Sequence, residues 1–220
     1  MSRVLLLHGV PTDGRLWDGV RARLDGEVLS PDLPGFGSAP PLADPTPQAY
    51  AKILAPLMSP DLHLVGHDFG GLVASMLAAE HTVRSLTLCS TALGPGWAPA
   101  RLTALPPLNR YFYRRHAGRR WLAMGVSPDR AEALLAQYPG ADPQLMEAIA
   151  RRIPLRPTPR PLCPTLCLWG DADRSMPWAR PIARALGARL TLLPGLRHYA
   201  MWEDPGTFTE ALQDFWRSLG

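Results

Sequence analysis

Short apolar runs recur along this 220-residue chain, with longer stretches of helical character between them. Six such runs occupy residues 4–7, 28–33, 62–65, 85–90, 165–169 and 190–193. Runs that are mainly apolar, and not apolar only at every second position, are typical of strands covered on both faces. Their alternation with helices predicts an α/β fold built on a parallel, doubly wound sheet.

The alternation of strands and helices is interrupted between residues 93 and 160. Helices are predicted there at residues 99–115, 119–124, 128–138 and 143–153, and a proline-rich connector follows at residues 154–161. Ser127 and Asp142 each stand before a proline, which is a common way for a helix to begin. The sequence therefore predicts a core of residues 1–92 and 161–220, with residues 93–160 inserted at the carboxyl side of the sheet as a helical lid.

A turn directly after the third apolar run carries the most informative chemistry. Gly66 and Gly70 bracket Asp68, and a helix is predicted to follow over residues 72–79. This spacing is typical of a nucleophile elbow, where a sharp strand-to-helix turn exposes one side chain above the sheet and needs glycines where the chain packs on itself. A phosphate-binding loop is the alternative, but the G-x-G-x-x-G order is absent and Asp68 would repel a phosphate. We therefore predict that Asp68 is an exposed nucleophile.

Two further reactive groups follow later strands. Asp171 and Asp173 come directly after the fifth apolar run, and His198 comes shortly after the sixth. In parallel sheets, ligands bind beyond the carboxyl ends of the strands, so these side chains are predicted to lie near Asp68. The chain order nucleophile, acid, histidine is that of the α/β-hydrolases.

The chain resembles the α/β-hydrolases over nearly its whole length, and among them the branch with an aspartate nucleophile, the epoxide hydrolases and haloalkane dehalogenases. The resemblance is carried by the segments His8-Gly9-Val10-Pro11, Pro31-Asp32-Leu33-Pro34-Gly35-Phe36-Gly37-Ser38, Gly66-His67-Asp68, Trp169-Gly170-Asp171-Ala172-Asp173 and His198-Tyr199-Ala200-Met201-Trp202-Glu203-Asp204-Pro205. It favours Asp173 over Asp171 as the acid. Such proteins usually have a strand hairpin before the first of these segments, and since this sequence starts at that strand, a trimmed α/β-hydrolase sheet of about six strands is expected.

The resemblance also implies a role for each motif residue. Asp68 would attack the substrate, and His198, held by Asp173, would activate a water that hydrolyses the resulting ester. The backbone N–H groups of Val10 and Phe69 would form the oxyanion hole. Supporting roles in the motifs fall to His8, Gly9, Pro11, Gly66, His67 and Gly70.

The leaving group is less directly encoded than the nucleophile. A carboxylate that attacked an ester would form a high-energy anhydride, so Asp68 suits attack on an sp³ carbon. Val10 and Phe69 lack the side-chain N–H groups that usually bind halide in such dehalogenases. Opening of an epoxide needs a phenol that donates to the alkoxide. The lid candidates for this role are Tyr111, Tyr113 and Tyr138. Tyr199 is a further candidate to line the pocket. Epoxide hydrolysis is therefore favoured, with haloalkane dehalogenation or a slow-turnover, hydrolase-like binding protein as alternatives.

Composition changes this interpretation little. The net charge is +4, but the basic residues are dispersed among acids and no aromatic-basic recognition motif is present, so a nucleic-acid partner is not expected. No apolar run has the length of a membrane helix, and residues 4–7 are too short for a signal peptide. Three cysteines are too few for a disulfide framework, which favours a cytoplasmic protein. No metal-ligand spacing occurs; we expect a small-molecule substrate and no cofactor, while the oligomeric state stays open.

Overall fold

A computed structural model describes residues 3–113, 119–138 and 141–220 of the chain. Six parallel strands form one sheet in the order β2-β1-β3-β4-β5-β6, which confirms the predicted parallel sheet of about six strands. The strands are β1 (Arg3–Leu7), β2 (Glu27–Leu29), β3 (Leu62–His67), β4 (Ser85–Cys89), β5 (Thr165–Gly170) and β6 (Arg189–Leu193).

Both faces of the sheet are covered, which is why its central strands are buried and mainly apolar. Every residue of β3, β4 and β5 is buried. Leu5 and Leu7 belong to one core cluster, and Val4 and Leu6 belong to the cluster on the opposite face, as the two-residue period of a strand requires. The helices outside the insertion are α1 (Asp18–Arg21), α2 (Pro47–Leu54), α3 (Asp68–Glu80), α9 (Met176–Leu186), α10 (Ala200–Glu203) and α11 (Pro205–Arg217).

The second strand is shorter than predicted. The apolar pattern predicts a strand over residues 28–33, whereas β2 ends at Leu29. Pro31 has no N–H to donate to a neighbouring strand, and Asp32 directs the chain into a turn instead. The Asp32 carboxylate accepts hydrogen bonds from the backbone N–H of Gly14 at 2.9 Å and of Ser38 at 2.8 Å. The loop over residues 30–38 is thereby fixed at the carboxyl edge of the sheet.

The segment between β4 and β5 is helical, as predicted, but its first helix is broken. After a 3₁₀ turn (Gly94–Trp97) come α4 (Ala98–Thr103), α5 (Leu108–Phe112), α6 (Arg119–Met124), a second 3₁₀ turn (Pro128–Arg130), α7 (Ala131–Gln137) and α8 (Pro143–Arg152). The helix predicted over residues 99–115 is interrupted at Pro106-Pro107, because proline removes a helical N–H and crowds the preceding turn; residues 114 and 115 lie outside the described part.

The two predicted helix starts in the insertion differ in their capping. Asp142 caps α8 by accepting from the N–H of Gln144 at 2.8 Å, whereas Ser127 makes no side-chain cap. Across the described ranges of the chain, no helix has both the length and the hydropathy needed to cross a membrane.

Candidate active site

The turn between β3 and α3 has the geometry of a nucleophile elbow. Asp68 adopts a φ of 49°, in the left-handed region that residues with a Cβ rarely enter, and α3 begins at this residue. The helix packs so closely on the strand that a Cβ at Gly66 would lie 2.6 Å from both Gly70 O and Gly71 Cα. Gly66 is therefore required by the close approach of two backbone segments, as the sequence pattern predicts.

The Asp68 carboxylate is held by the two backbone groups predicted to form the oxyanion hole. Its Oδ2 atom accepts a hydrogen bond from the N–H of Val10 at 3.2 Å, and the N–H of Phe69 also donates to the carboxylate. Burial raises the pKa of Asp68, although the nearby His198 and the two N–H donors oppose that shift. The loop that carries Val10 can approach Asp68 because position 9 is glycine: a Cβ there would lie 2.6 Å from Asp68 Cβ.

His198 and Asp173 form an ion pair beside Asp68. The Nδ1 atom of His198 lies 3.1 Å from Asp173 Oδ2. Burial by itself lowers the pKa of His198, but the charge and hydrogen bond of Asp173 and the charge of Asp68 outweigh it and raise that pKa to about 9. For Asp173, burial raises the pKa, yet the attraction of His198 and several hydrogen bonds hold it well below its usual range.

Asp173, not Asp171, is the carboxylate that contacts the histidine. Asp171 is exposed, and its Oδ1 accepts from the backbone N–H of Gly195 at 2.7 Å, which makes it a turn-stabilising group. Asp173 is 6% exposed and also accepts from the N–H and the hydroxyl of Ser175, each at 2.8 Å, and from the hydroxyl of Ser90. Sequence reasoning missed both serines, although a serine two residues after an aspartate is a common turn pattern that would have indicated Ser175.

The supporting histidines fix the loops that carry the reactive groups. His8 Nδ1 donates to Gly9 O at 2.8 Å, and His8 Nε2 accepts from the N–H of Leu33 at the same distance. Burial lowers the pKa of His8 to about 4 and keeps the ring neutral. His67 Nε2 donates to the backbone oxygen of His198 at 3.0 Å. Pro11 is buried in the same loop as Gly9. Both histidines thus hydrogen-bond the backbone of loops around the site.

Glu203 holds the histidine loop against the insertion. Its Oε1 accepts from the N–H of Ser127 and its Oε2 from the N–H of Arg197, each at 2.8 Å. The N–H of Tyr199 donates to Gly125 O at 3.1 Å and adds a second link between the two segments. Because Arg197 and Tyr199 flank His198, these contacts fix the histidine between the core and the insertion.

A cavity of about 390 Å³ opens above Asp68 and His198. Its walls are mainly apolar and come largely from the insertion, where Trp97, Phe112, Trp121, Met146 and Ile149 line it. The size is within the range of small-molecule sites. An apolar chamber with reactive groups at its base is suited to hold an apolar substrate body against a nucleophile.

The three predicted lid tyrosines have different positions. Tyr113 is buried, lines the cavity and donates its hydroxyl to Ala100 O at 3.0 Å. Tyr111 is 49% exposed and is not among the residues that line the cavity. Tyr138 is buried away from the cavity beside Arg15, whose guanidinium lies 5.4 Å from the ring centroid. The expectation that Tyr111 or Tyr138 reaches the site is therefore corrected, whereas Tyr199 does line the cavity next to His198.

Within residues 3–113, 119–138 and 141–220, no three His, Cys, Asp or Glu side chains are close enough together to hold a metal ion. Asp68, Asp173 and His198 lie together at the base of the cavity, next to the backbone N–H donors of Val10 and Phe69.

Parallel sheets that present a nucleophile elbow, then an acid, then a histidine along the chain are those of the α/β-hydrolases. Residues 4–211 match the alpha/beta hydrolase family, and the chain belongs to that family. The predicted fold class is thereby confirmed, and the protein is a hydrolase of this family.

Similar proteins include both esterases and dehalogenases. The pimeloyl-[acyl-carrier protein] methyl ester esterase of Aeromonas hydrophila subsp. hydrophila is 28% identical, with 96% of this chain and 94% of the relative aligned. An esterase from Thermogutta terrifontis, solved with malate bound, superposes with a TM-score of 0.83 at 25% identity, covering 100% of this chain and 90% of its own. A haloalkane dehalogenase from Bradyrhizobium elkani gives a TM-score of 0.76 at 20% identity over 99% and 90% of the two chains, a likeness of fold alone.

Proposed function

We propose that this protein hydrolyses epoxides through a covalent alkyl ester on Asp68, with the helical insertion acting as a cap. The observation that carries the proposal is the position of the Asp68 carboxylate, which stands at the elbow with Oδ2 bonded to the N–H of Val10. The N–H of Val10 thus holds one carboxylate oxygen, Oδ2, and Oδ1 is the proposed attacking atom. The held oxygen is also the atom on which negative charge develops when the ester is later hydrolysed.

A carboxylate at this position favours attack on a saturated carbon. Several relatives are named as esterases, an activity that in this fold commonly uses a serine at the elbow. Asp68 in place of that serine would convert an ester substrate into an anhydride, which is too reactive to be a useful intermediate. Attack on an epoxide carbon instead gives an ordinary ester and an alkoxide, and the ring strain of the epoxide assists the step.

The charges around His198 suit the second step. In the free protein both Asp68 and Asp173 raise the pKa of His198. Formation of the ester removes the charge of Asp68, so the pKa of His198 falls once the intermediate has formed. The imidazole then loses its proton more readily and accepts one from the water that attacks the ester carbonyl. A larger fraction of His198 is thereby in the neutral, proton-accepting form at the stage when a base is needed.

Tyr113 and Tyr199 support the epoxide as substrate. Both line the cavity with Asp68, and burial raises the pKa of each, so each keeps its proton available for an emerging alkoxide. The Tyr113 hydroxyl is bonded to Ala100 O, and donation to a substrate would exchange that bond for a stronger one to a charged oxygen.

Haloalkane dehalogenation is the second candidate. A halide ion is stabilised by N–H donors, and the indoles of Trp97 and Trp121 both line the cavity. Trp97 Nε1 has no hydrogen-bond partner among the residues described, but it is also shielded from the cavity, so a halide would contact its N–H only after the indole rotates. The unpartnered N–H is the observation that keeps a halide as the second candidate, since Val10 and Phe69 supply no side-chain N–H.

Trapping of the intermediate tests both candidates at once. The His198→Ala variant is incubated with a panel of epoxides and haloalkanes, and the Asp68 peptide is examined by mass spectrometry, with His198→Ala/Asp68→Ala as the matched control. An adduct on Asp68 that is absent from the control supports the covalent mechanism, and the compound that forms it identifies the leaving group. Turnover by wild type without an adduct in the variant would contradict the assigned nucleophile or base. Stabilisation by panel compounds without any turnover would favour a binding protein.

A further inference from the structure

We propose that Arg174 binds an anionic group of the substrate, so that the natural substrate is an amphiphile with an apolar body and a carboxylate. This inference rests on the proposed function for the reaction itself, but the anion site is defined by its own contacts. It adds to the site a specificity-determining residue that takes no part in the bond-making steps.

Arg174 lies on the wall of the same cavity as the reactive groups. It follows Asp173 directly in the chain, in the turn that precedes α9, and it lines the cavity together with Asp68 and His198. The residue is exposed, which places its guanidinium where the cavity meets solvent. A substrate that reaches Asp68 with one end has its other end within the same chamber as this cation.

Most N–H donors of the Arg174 guanidinium make no hydrogen bond to the described residues. Its one hydrogen bond to the described residues is from Nη1 to the thioether sulfur of Met124 at 3.4 Å, and a thioether is a weak acceptor. None of the carboxylates in the described ranges lies within ion-pair distance of it, whereas Arg15 pairs with Asp13 at 2.7 Å. Since Met124 also lines the cavity, the contact directs the guanidinium across the opening toward the insertion. A planar cation with free N–H groups is well suited to bind a carboxylate.

The remaining charges of the cavity indicate why this cation is needed. Asp68 and Asp173 carry two negative charges, and His198, whose pKa is raised to about 9, offsets one of them near neutral pH. The base of the cavity therefore has a net negative charge and would repel a carboxylate-bearing substrate. Among the described lining residues, Arg174 is the only cation besides His198. An anionic substituent thus has one favourable position, at the opening.

Binding of unreactive ligands tests the anion site without any catalysis. A medium-chain alkanoate and the alkanol of the same length are titrated calorimetrically into wild type, Arg174→Gln and Arg180→Gln; Arg180 is an exposed arginine of α9 that does not line the cavity. We expect wild type to prefer the alkanoate, and Arg174→Gln to lose about three- to tenfold in alkanoate affinity, as for a partly exposed charged hydrogen bond. The alkanol affinity, and both affinities of Arg180→Gln, should stay unchanged.

Kinetics with matched substrates completes the test. An epoxyalkanoate is compared with the neutral epoxyalkane, and a haloalkanoate with the haloalkane. Arg174→Gln should raise KM for the anionic member of the active pair by about three- to tenfold with kcat nearly unchanged, and Arg174→Lys should restore part of the loss. If Arg174→Gln weakens alkanoate and alkanol equally, or wild type prefers the alkanol, the anion site is wrong. Loss of the alkanoate preference in Arg174→Gln supports the anion site whatever the result of the trapping experiment. If His198→Ala traps no adduct, only the proposed reaction fails.

Discussion

The ion pair between His198 and Asp173 predicts a specific dependence of stability on pH. The His198 side chain is 23% exposed, and its Nδ1 lies 3.1 Å from the Asp173 carboxylate. Burial lowers its pKa, but Asp173 more than compensates, so the pKa is about 9 in the folded protein against 6.5 in the unfolded chain. Because the folded state binds the proton more tightly, the resulting stabilisation is fully present below pH 6.5 and is lost as the pH rises through 9.

The magnitude follows from the two pKa values. One pKa unit is equivalent to about 1.4 kcal/mol, so the pair contributes about 3 kcal/mol at low pH, with the low pKa of Asp173 reflecting the same interaction and not a second one. This amount is a large fraction of the free energy of unfolding of an ordinary domain, which is about 5–15 kcal/mol. It is therefore within the range that denaturant titrations resolve.

The assay compares wild type with His198→Gln. Urea unfolding is followed by the fluorescence of the seven tryptophans at intervals from about pH 6 to about pH 10. The difference between the two free energies of unfolding cancels the titration of cysteines and tyrosines that both proteins share. It should decrease by about 3 kcal/mol across this range. Asp173→Asn keeps the imidazole but removes its partner charge, so the difference between its free energy of unfolding and that of His198→Gln should stay nearly constant over this range. Parallel pH profiles for wild type and His198→Gln would refute the ion-pair argument.

Three further substitutions test other parts of the site. Asp68→Ser should gain hydrolysis of nitrophenyl esters, measured as nitrophenolate release in excess of wild type, because the oxyanion donors and His198 then serve a hydroxyl nucleophile; no gain would argue against the elbow geometry. Gly66→Ala should lower the free energy of unfolding by about 2 kcal/mol or more, because its Cβ would meet backbone atoms that cannot move aside, whereas Gly206→Ala at the start of α11 serves as a tolerant control in the same thermal melts. Glu203→Gln should lower the free energy of unfolding by about 1–3 kcal/mol and lower kcat, because the amide nitrogen would face one of the two backbone N–H donors, that of Ser127 or that of Arg197. An unchanged melting temperature would contradict the proposed link between the histidine loop and the insertion.

The strands and the elbow could be predicted from sequence because each has a local cause. A strand buried on both faces is mainly apolar, and the tight packing of α3 on β3 requires glycine at position 66. Both constraints act on residues that are neighbours in the sequence. The end of β2 and the break after α4 have equally local causes, in Pro31 and in Pro106-Pro107, because proline interrupts the regular backbone hydrogen bonds even where the apolar or helical pattern continues.

The lid tyrosines could not be placed in the same way. Tyr111 and Tyr113 are two residues apart, yet one is 49% exposed and the other is 1% exposed. Which of them faces the cavity depends on how α5, a helix of five residues, packs against α4 and on contacts with residues distant in sequence. A helix this short has no amphipathic period from which its buried face can be inferred. Arg174 could not be identified from the sequence because its place on the cavity wall depends on Met124, a residue distant in the chain.

Strands β4 and β5 are neighbours in the sheet, although the whole insertion lies between them in the chain. The entropy lost on closing such a loop grows only with the logarithm of its length, about 0.6 kcal/mol for each doubling. The entropic cost of lengthening or shortening the insertion is therefore small. Exchanging it would instead replace the side chains that it packs into the core, together with most of the cavity wall. Evolution can therefore change the range of compounds that such a protein accepts by altering the insertion alone. The proposed reacting groups would stay in place at the ends of β3, β5 and β6.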